Sequence, residues 1–96
     1  MAEGAGYRLV IVHNPQGLHA RPADLFVKLA SRYQATIEVI KDSERVDGKS
    51  ILAILTLAAV QGTQLRIEAT GPDAEAALDA LAELVTRDFE DNVSVE

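Results

Sequence analysis

The chain has 96 residues, 48% hydrophobic and 25% charged, which is the size and balance of one small globular domain with a single core. A net charge of −6 argues against a general nucleic-acid binder, because covering a phosphate backbone needs a basic surface. No cysteine is present, which removes disulfides, thiolate nucleophiles and cysteine-based zinc sites together.

The opening MAEGAGYRLV is too poor in apolar residues for a secretory signal, and Met1 to Gly6 reads as a loose lead. YRLVIV, from Tyr7 to Val12, is rich in β-formers and predicts a strand. Asn14, Pro15 and Gly17 form a turn cluster. After it, Ala23, Phe26, Val27 and Ala30 recur at helical spacing, predicting a helix to about Tyr33. ATIEVIK (Ala35 to Lys41) predicts a second strand, and a brief edge strand around Arg45 precedes the Asp47-Gly48 turn. A short apolar helix is expected from Ser50. Its dense run reaches Val60, about half the roughly 20 residues a membrane span requires. TQLRIEA alternates, with Leu65, Ile67 and Ala69 on one face and Arg66 and Glu68 on the other. Gly71 and Pro72 end that strand, and Ala74, Ala77, Leu78, Leu81 and Val85 line one face of a last helix. From Phe89 the tail is acidic, and residues 90–96 read as a second loose end.

The order is βαββαβα. It predicts an α+β fold: an open-faced sandwich with one antiparallel sheet, three helices on one face and the other face wet. One domain spanning residues 7–89 is expected, without metal or cofactor, monomeric, cytoplasmic and away from membranes.

His19 is the first candidate for chemistry. A lone histidine at a loop–helix junction is commonly just a solvated polar group, but its neighbours alter that reading. Gly17 allows a tight turn and close approach of a ligand. The helix start offers unpaired backbone N–H groups, at Ala20 and Arg21, and a dipole that favours an anion. Pro22 suits the first turn because it lacks an N–H that would need a partner. Arg21 adds a planar, permanently charged donor suited to phosphate oxygens. A nucleophilic imidazole beside an anion site fits transfer of a phosphoryl group through a labile P–N bond. The sequence has no Walker-type loop and no HxxxH spacing, so large partners are expected to supply the rest. His13, at a strand end, is read as structural.

Ser50, directly before the short helix, is read as an N-cap. A phosphate there is electrostatically tolerated, which leaves room for regulation. Ile51, Leu52, Ile54, Leu55 and Leu57 encircle that helix. A domain this small cannot bury all of them, so an exposed apolar docking patch is expected. The plainer alternative is a fully covered core helix.

GLHARPA followed some thirty residues later by KSILAILTLA resembles the HPr family, the histidine phosphocarrier proteins of the bacterial phosphotransferase system. The resemblance runs from about Tyr7 to Phe89. It implies that His19, through the ring nitrogen nearer the backbone, takes phosphate from phosphorylated enzyme I and passes it to a sugar-permease A domain. Arg21 matches the arginine that neutralises the phosphoryl group. Ser50 matches the serine that a dedicated kinase/phosphorylase modifies in some members. Ile51, Leu52 and Leu55 match the apolar docking patch, with Arg21, Lys28 and Lys49 as local cations. Asp24 departs from an ideal site by placing a like charge near the incoming phosphate.

Three alternatives stay open. A nitrogen-branch carrier would pass phosphate to a regulatory A domain. A binding regulator would dock on a transcriptional regulator under control of Ser50. A ferredoxin-like interaction module would have no phosphate chemistry.

Overall fold

The computed structural model describes residues 4–89. Its elements are β1 (Gly4–Ile11), α1 (Ala20–Ala30), β2 (Thr36–Lys41), β3 (Glu44–Asp47), α2 (Ile51–Thr56), β4 (Gln64–Gly71) and α3 (Ala74–Thr86). The four strands form one antiparallel sheet in the order β1-β4-β2-β3. The expected βαββαβα sandwich is therefore the fold.

Period-two patterning decides which side of the sheet is dry. Val10, Ile37, Val39, Leu65, Ile67 and Ala69 are buried on the helix side. Against them α3 buries Ala74, Ala77, Leu78, Leu81 and Val85, while α1 contributes Pro22, Ala23, Phe26 and Ala30. Each fully buried leucine or isoleucine contributes about 1.5–3 kcal/mol of transfer free energy. On the solvated face Arg45 bridges Glu38 and Glu68. Arg66 pairs with Glu68 at 2.8 Å and lies 4.0 Å from the centre of the Tyr7 ring. The two carboxylates hold the Arg45 guanidinium above its usual range, Glu68 foremost, and the Arg45 bond in turn depresses Glu68.

Two boundaries differ from expectation. Gly4 to Gly6 are not a loose lead: they pair with Gly71, Thr70 and Ala69, continuing the β1–β4 ladder. Backbone pairing needs no side chains, so glycine-rich sequence conceals it. Met1 to Glu3 and the expected loose tail at 90–96 lie outside the described residues. The α1 helix ends at Ala30 because Arg32 and Tyr33 donate instead to Leu29 and Ala30, three residues back, and the chain leaves the α-helical pattern.

One bond pair fixes how the chain enters β2. Asp73, just ahead of α3, accepts from the Gln34 N–H at 2.8 Å and the Ala35 N–H at 2.9 Å. These bonds pull its carboxyl below the ordinary range, Gln34 contributing most. Its partners therefore lie across the fold, and its side chain makes no cap bond to α3 itself.

Candidate functional site

The site is set by the loop between β1 and α1. Asn14 nucleates it: its Oδ1 accepts from the Gln16 N–H at 2.9 Å and its carbonyl from the Gly17 N–H at 2.8 Å. Gly17 then turns the chain at φ +73°, which an L side chain rarely adopts. A Cβ there would lie 2.4 Å from the Ala59 carbonyl oxygen. That same oxygen accepts from the Leu18 N–H at 2.9 Å, locking the loop to the segment that follows α2.

His19 is the N-cap residue of α1, in extended conformation at φ −86° and ψ −167°. Its carbonyl accepts the first helical bond, from the Ala23 N–H at 3.1 Å. Its side chain makes no capping bond, so the half-buried imidazole is uncommitted. The Ala20 and Arg21 amides donate to no backbone carbonyl among the described residues, as expected of a helix's first N–H groups, and Pro22 has no N–H to leave unpaired. No acidic residue sits in the first turn to compete for them. Arg21 is exposed and forms no ion pair among the described residues. Gly17, in the preceding loop, and His19, Ala20 and Arg21 are thus neighbours around the start of α1. His13 is exposed, and its carbonyl accepts from Gln61 Nε2 at 3.1 Å.

Ser50 caps α2 as its position predicts. Its Oγ accepts from the Ala53 N–H at 3.2 Å, and its carbonyl from the Ile54 N–H at 3.0 Å. The apolar helix is divided rather than wholly covered. Ile54 and Leu57 are buried, Ile51 and Leu55 are half-buried, and Leu52 is 73% exposed. The cations are less free than their sequence positions suggest. Lys49 Nζ donates to the Tyr33 carbonyl at 2.7 Å, and Lys28 pairs with Asp24 at 3.1 Å.

Two contributors escape a reading of side-chain chemistry. Ala59 acts only through its carbonyl. Val60, 66% exposed, is an apolar residue whose Cα lies 3.0 Å from where a Gly17 side chain would begin. Asn14 carried a usable signal: an Asn three residues before a Gly is ordinary turn chemistry. Among the described residues no three His, Asp or Glu side chains gather as a metal site, and no helix is long and apolar enough to cross a membrane.

Known proteins share this architecture. The family model for the PTS HPr component phosphorylation site matches residues 7–87. The phosphocarrier protein HPr of Treponema pallidum is 42% identical over 84 residues, covering 88% of this chain and 96% of its own. The crystal structure of HPr-C-His from Thermoanaerobacter tengcongensis superposes with a TM-score of 0.84 at 40% identity, covering 88% of this chain and 94% of that one. The phosphocarrier protein HPr from Bacillus anthracis gives 0.80 at 44% identity, covering 84% and 96%. Open-faced sandwich and shared sequence together define a phosphocarrier domain. The chain belongs to the HPr family of the phosphotransferase system.

Proposed function

We propose that this protein carries a phosphoryl group on His19, received from phosphorylated enzyme I and delivered to the A domains of sugar permeases in the cytoplasm. The observation that carries this reading is the uncommitted imidazole at the start of α1, next to an unpaired Arg21. In the transfer, a lone pair on the ring nitrogen nearer the backbone forms the new P–N bond as the donor's bond to phosphorus breaks. The Ala20 and Arg21 amides and the Arg21 guanidinium face the phosphoryl oxygens, and the helix dipole favours their charge. Gly17 keeps the loop close to the phosphate. The P–N bond stays labile, so the group moves on to the next acceptor. Leu52, flanked by Ile51 and Leu55, is the apolar anchor for both partners.

Ser50 is the regulatory position in this reading. Its hydroxyl already sits at the start of α2, where a phosphate would add about two negative charges beside the docking patch. A dedicated kinase/phosphorylase is the partner implied, with a transcriptional regulator as a reader of the modified form.

The test is phosphotransfer from phosphoenolpyruvate through purified enzyme I, read by intact mass. The expected product gains one phosphate that is acid-labile and base-stable, and His19→Ala does not gain it while remaining folded. A folded chain that takes no phosphate from active enzyme I, or a His19→Ala variant that still does, refutes the reading.

A further inference from the structure

Arg21, Asp24 and Lys28 occupy positions i, i+3 and i+7 along α1, so Asp24 has a cation within reach on either side. The structure resolves that choice in one direction. Asp24 Oδ2 meets Lys28 Nζ at 3.1 Å, whereas Arg21 has no carboxylate partner among the described residues. Helix geometry explains the pairing, because side chains lean toward the N-terminus and the long Lys28 stem therefore reaches back over Asp24. The acid-before-lysine order at i, i+4 is also the favourable one.

What Lys28 prevents follows from the same geometry. Asp24 itself leans toward Arg21, and the positive end of the helix dipole attracts its carboxylate in that direction. It is the first acidic residue after His19, since the first turn has none. Released from Lys28, the carboxylate would cover the Arg21 guanidinium and oppose an arriving phosphate.

We propose that Lys28 is a positioning residue: by holding the Asp24 carboxylate one turn down the helix, it keeps Arg21 open for the phosphoryl group on His19. This rests on the carrier reading given above. It differs from a docking role for Lys28, because it acts within the chain and needs no partner protein.

The test therefore omits enzyme I. Phosphoramidate phosphorylates histidine directly: the imidazole lone pair forms the P–N bond, the donor's own P–N bond breaks, and ammonia leaves with that electron pair. Proton NMR of the two imidazole rings follows His19 and His13 separately, with exposed His13 as the internal reference. In Lys28→Met the ratio of His19 to His13 rates is expected to fall about two- to threefold, the scale of one or two exposed helix pairs. Lys28→Arg should keep the original ratio, and adding Asp24→Asn to Lys28→Met should restore it. An unchanged ratio in Lys28→Met overturns the proposal, as does a double variant that stays slow. If Arg21→Ala leaves the ratio of the parent chain unchanged, the assignment of Arg21 to the phosphate fails first and takes the proposal with it.

Discussion

Replacing Gly17 by alanine tests the link between the backbone of the site and its chemistry. The new side chain meets two costs. The first is conformational: an L residue held at φ +73° costs about 1–2 kcal/mol. The second is a collision, because the Cβ would stand 2.4 Å from the Ala59 oxygen where ordinary contact begins near 3.4 Å. Relief by about 1 Å of movement would break the 2.9 Å bond from the Leu18 N–H to that oxygen, and leaving a buried partner unsatisfied costs about 1–3 kcal/mol. The combined loss is roughly 3 kcal/mol, or about 15 °C in Tm for a domain of this size. Gly62→Ala separates the two costs. It sits at φ +90° with nothing within 4 Å of the added carbon, so only the first cost applies, about 1–2 kcal/mol. Urea unfolding of both variants, paired with phosphotransfer from enzyme I, measures stability and site geometry together. Equal stability of the two variants, or Gly17→Ala within about 0.5 kcal/mol of the parent, refutes the collision argument.

Asp73→Asn should narrow its stability gap from the parent on acidification. The Gln34 and Ala35 N–H groups depress the Asp73 carboxyl, so its charge-dependent stabilisation is complete at neutral pH and is lost as pH falls below about 4. A gap that stays constant from pH 7 to pH 2 in urea titrations contradicts this. Ala58 holds φ +50°, so Ala58→Gly should raise stability by about 0.5–1 kcal/mol, and a lower unfolding midpoint would show that the methyl group is needed there. Leu52→Asp should leave unfolding within about 0.5 kcal/mol, because its side chain is 73% exposed, while weakening enzyme I binding in calorimetry. Unchanged affinity would remove Leu52 from the docking surface. Ser50→Ala should cost about 1 kcal/mol through loss of the Ala53 bond, a purely structural effect to subtract from any regulatory one.

Elements with a strong period were legible from the chain alone. The alternation of Leu65, Ile67 and Ala69 marks β4, and the spacing of Ala74, Ala77, Leu78, Leu81 and Val85 marks α3. The start of β1 was hidden because Gly4, Ala5 and Gly6 join the sheet through backbone bonds with no side-chain signature. At the site, His19 and Arg21 stand out by residue type, and Gly17 by its turn. The Lys28–Asp24 pair follows from its i, i+4 spacing, but the fate of Lys49 was not readable in advance. Lys49 finds the Tyr33 carbonyl, 16 positions away, a choice settled by how α1 ends and where α2 begins. Ala59 was invisible for a related reason: what it supplies is a carbonyl, common to every residue.

The sheet order has a consequence for synthesis on the ribosome. β4 lies between β1 and β2, which make no ladder with each other. A nascent chain that has emerged only through Thr63 can close the local β2–β3 hairpin, yet β1 has no strand to join. The loop that bears His19 waits as well, because Val12 at its root exchanges bonds with Thr63 and Gly62 at the entry to β4. Such long-range pairing is slow and comes as a unit. The sheet that carries the site's loop is therefore complete only once β4 has emerged to pair with both β1 and β2.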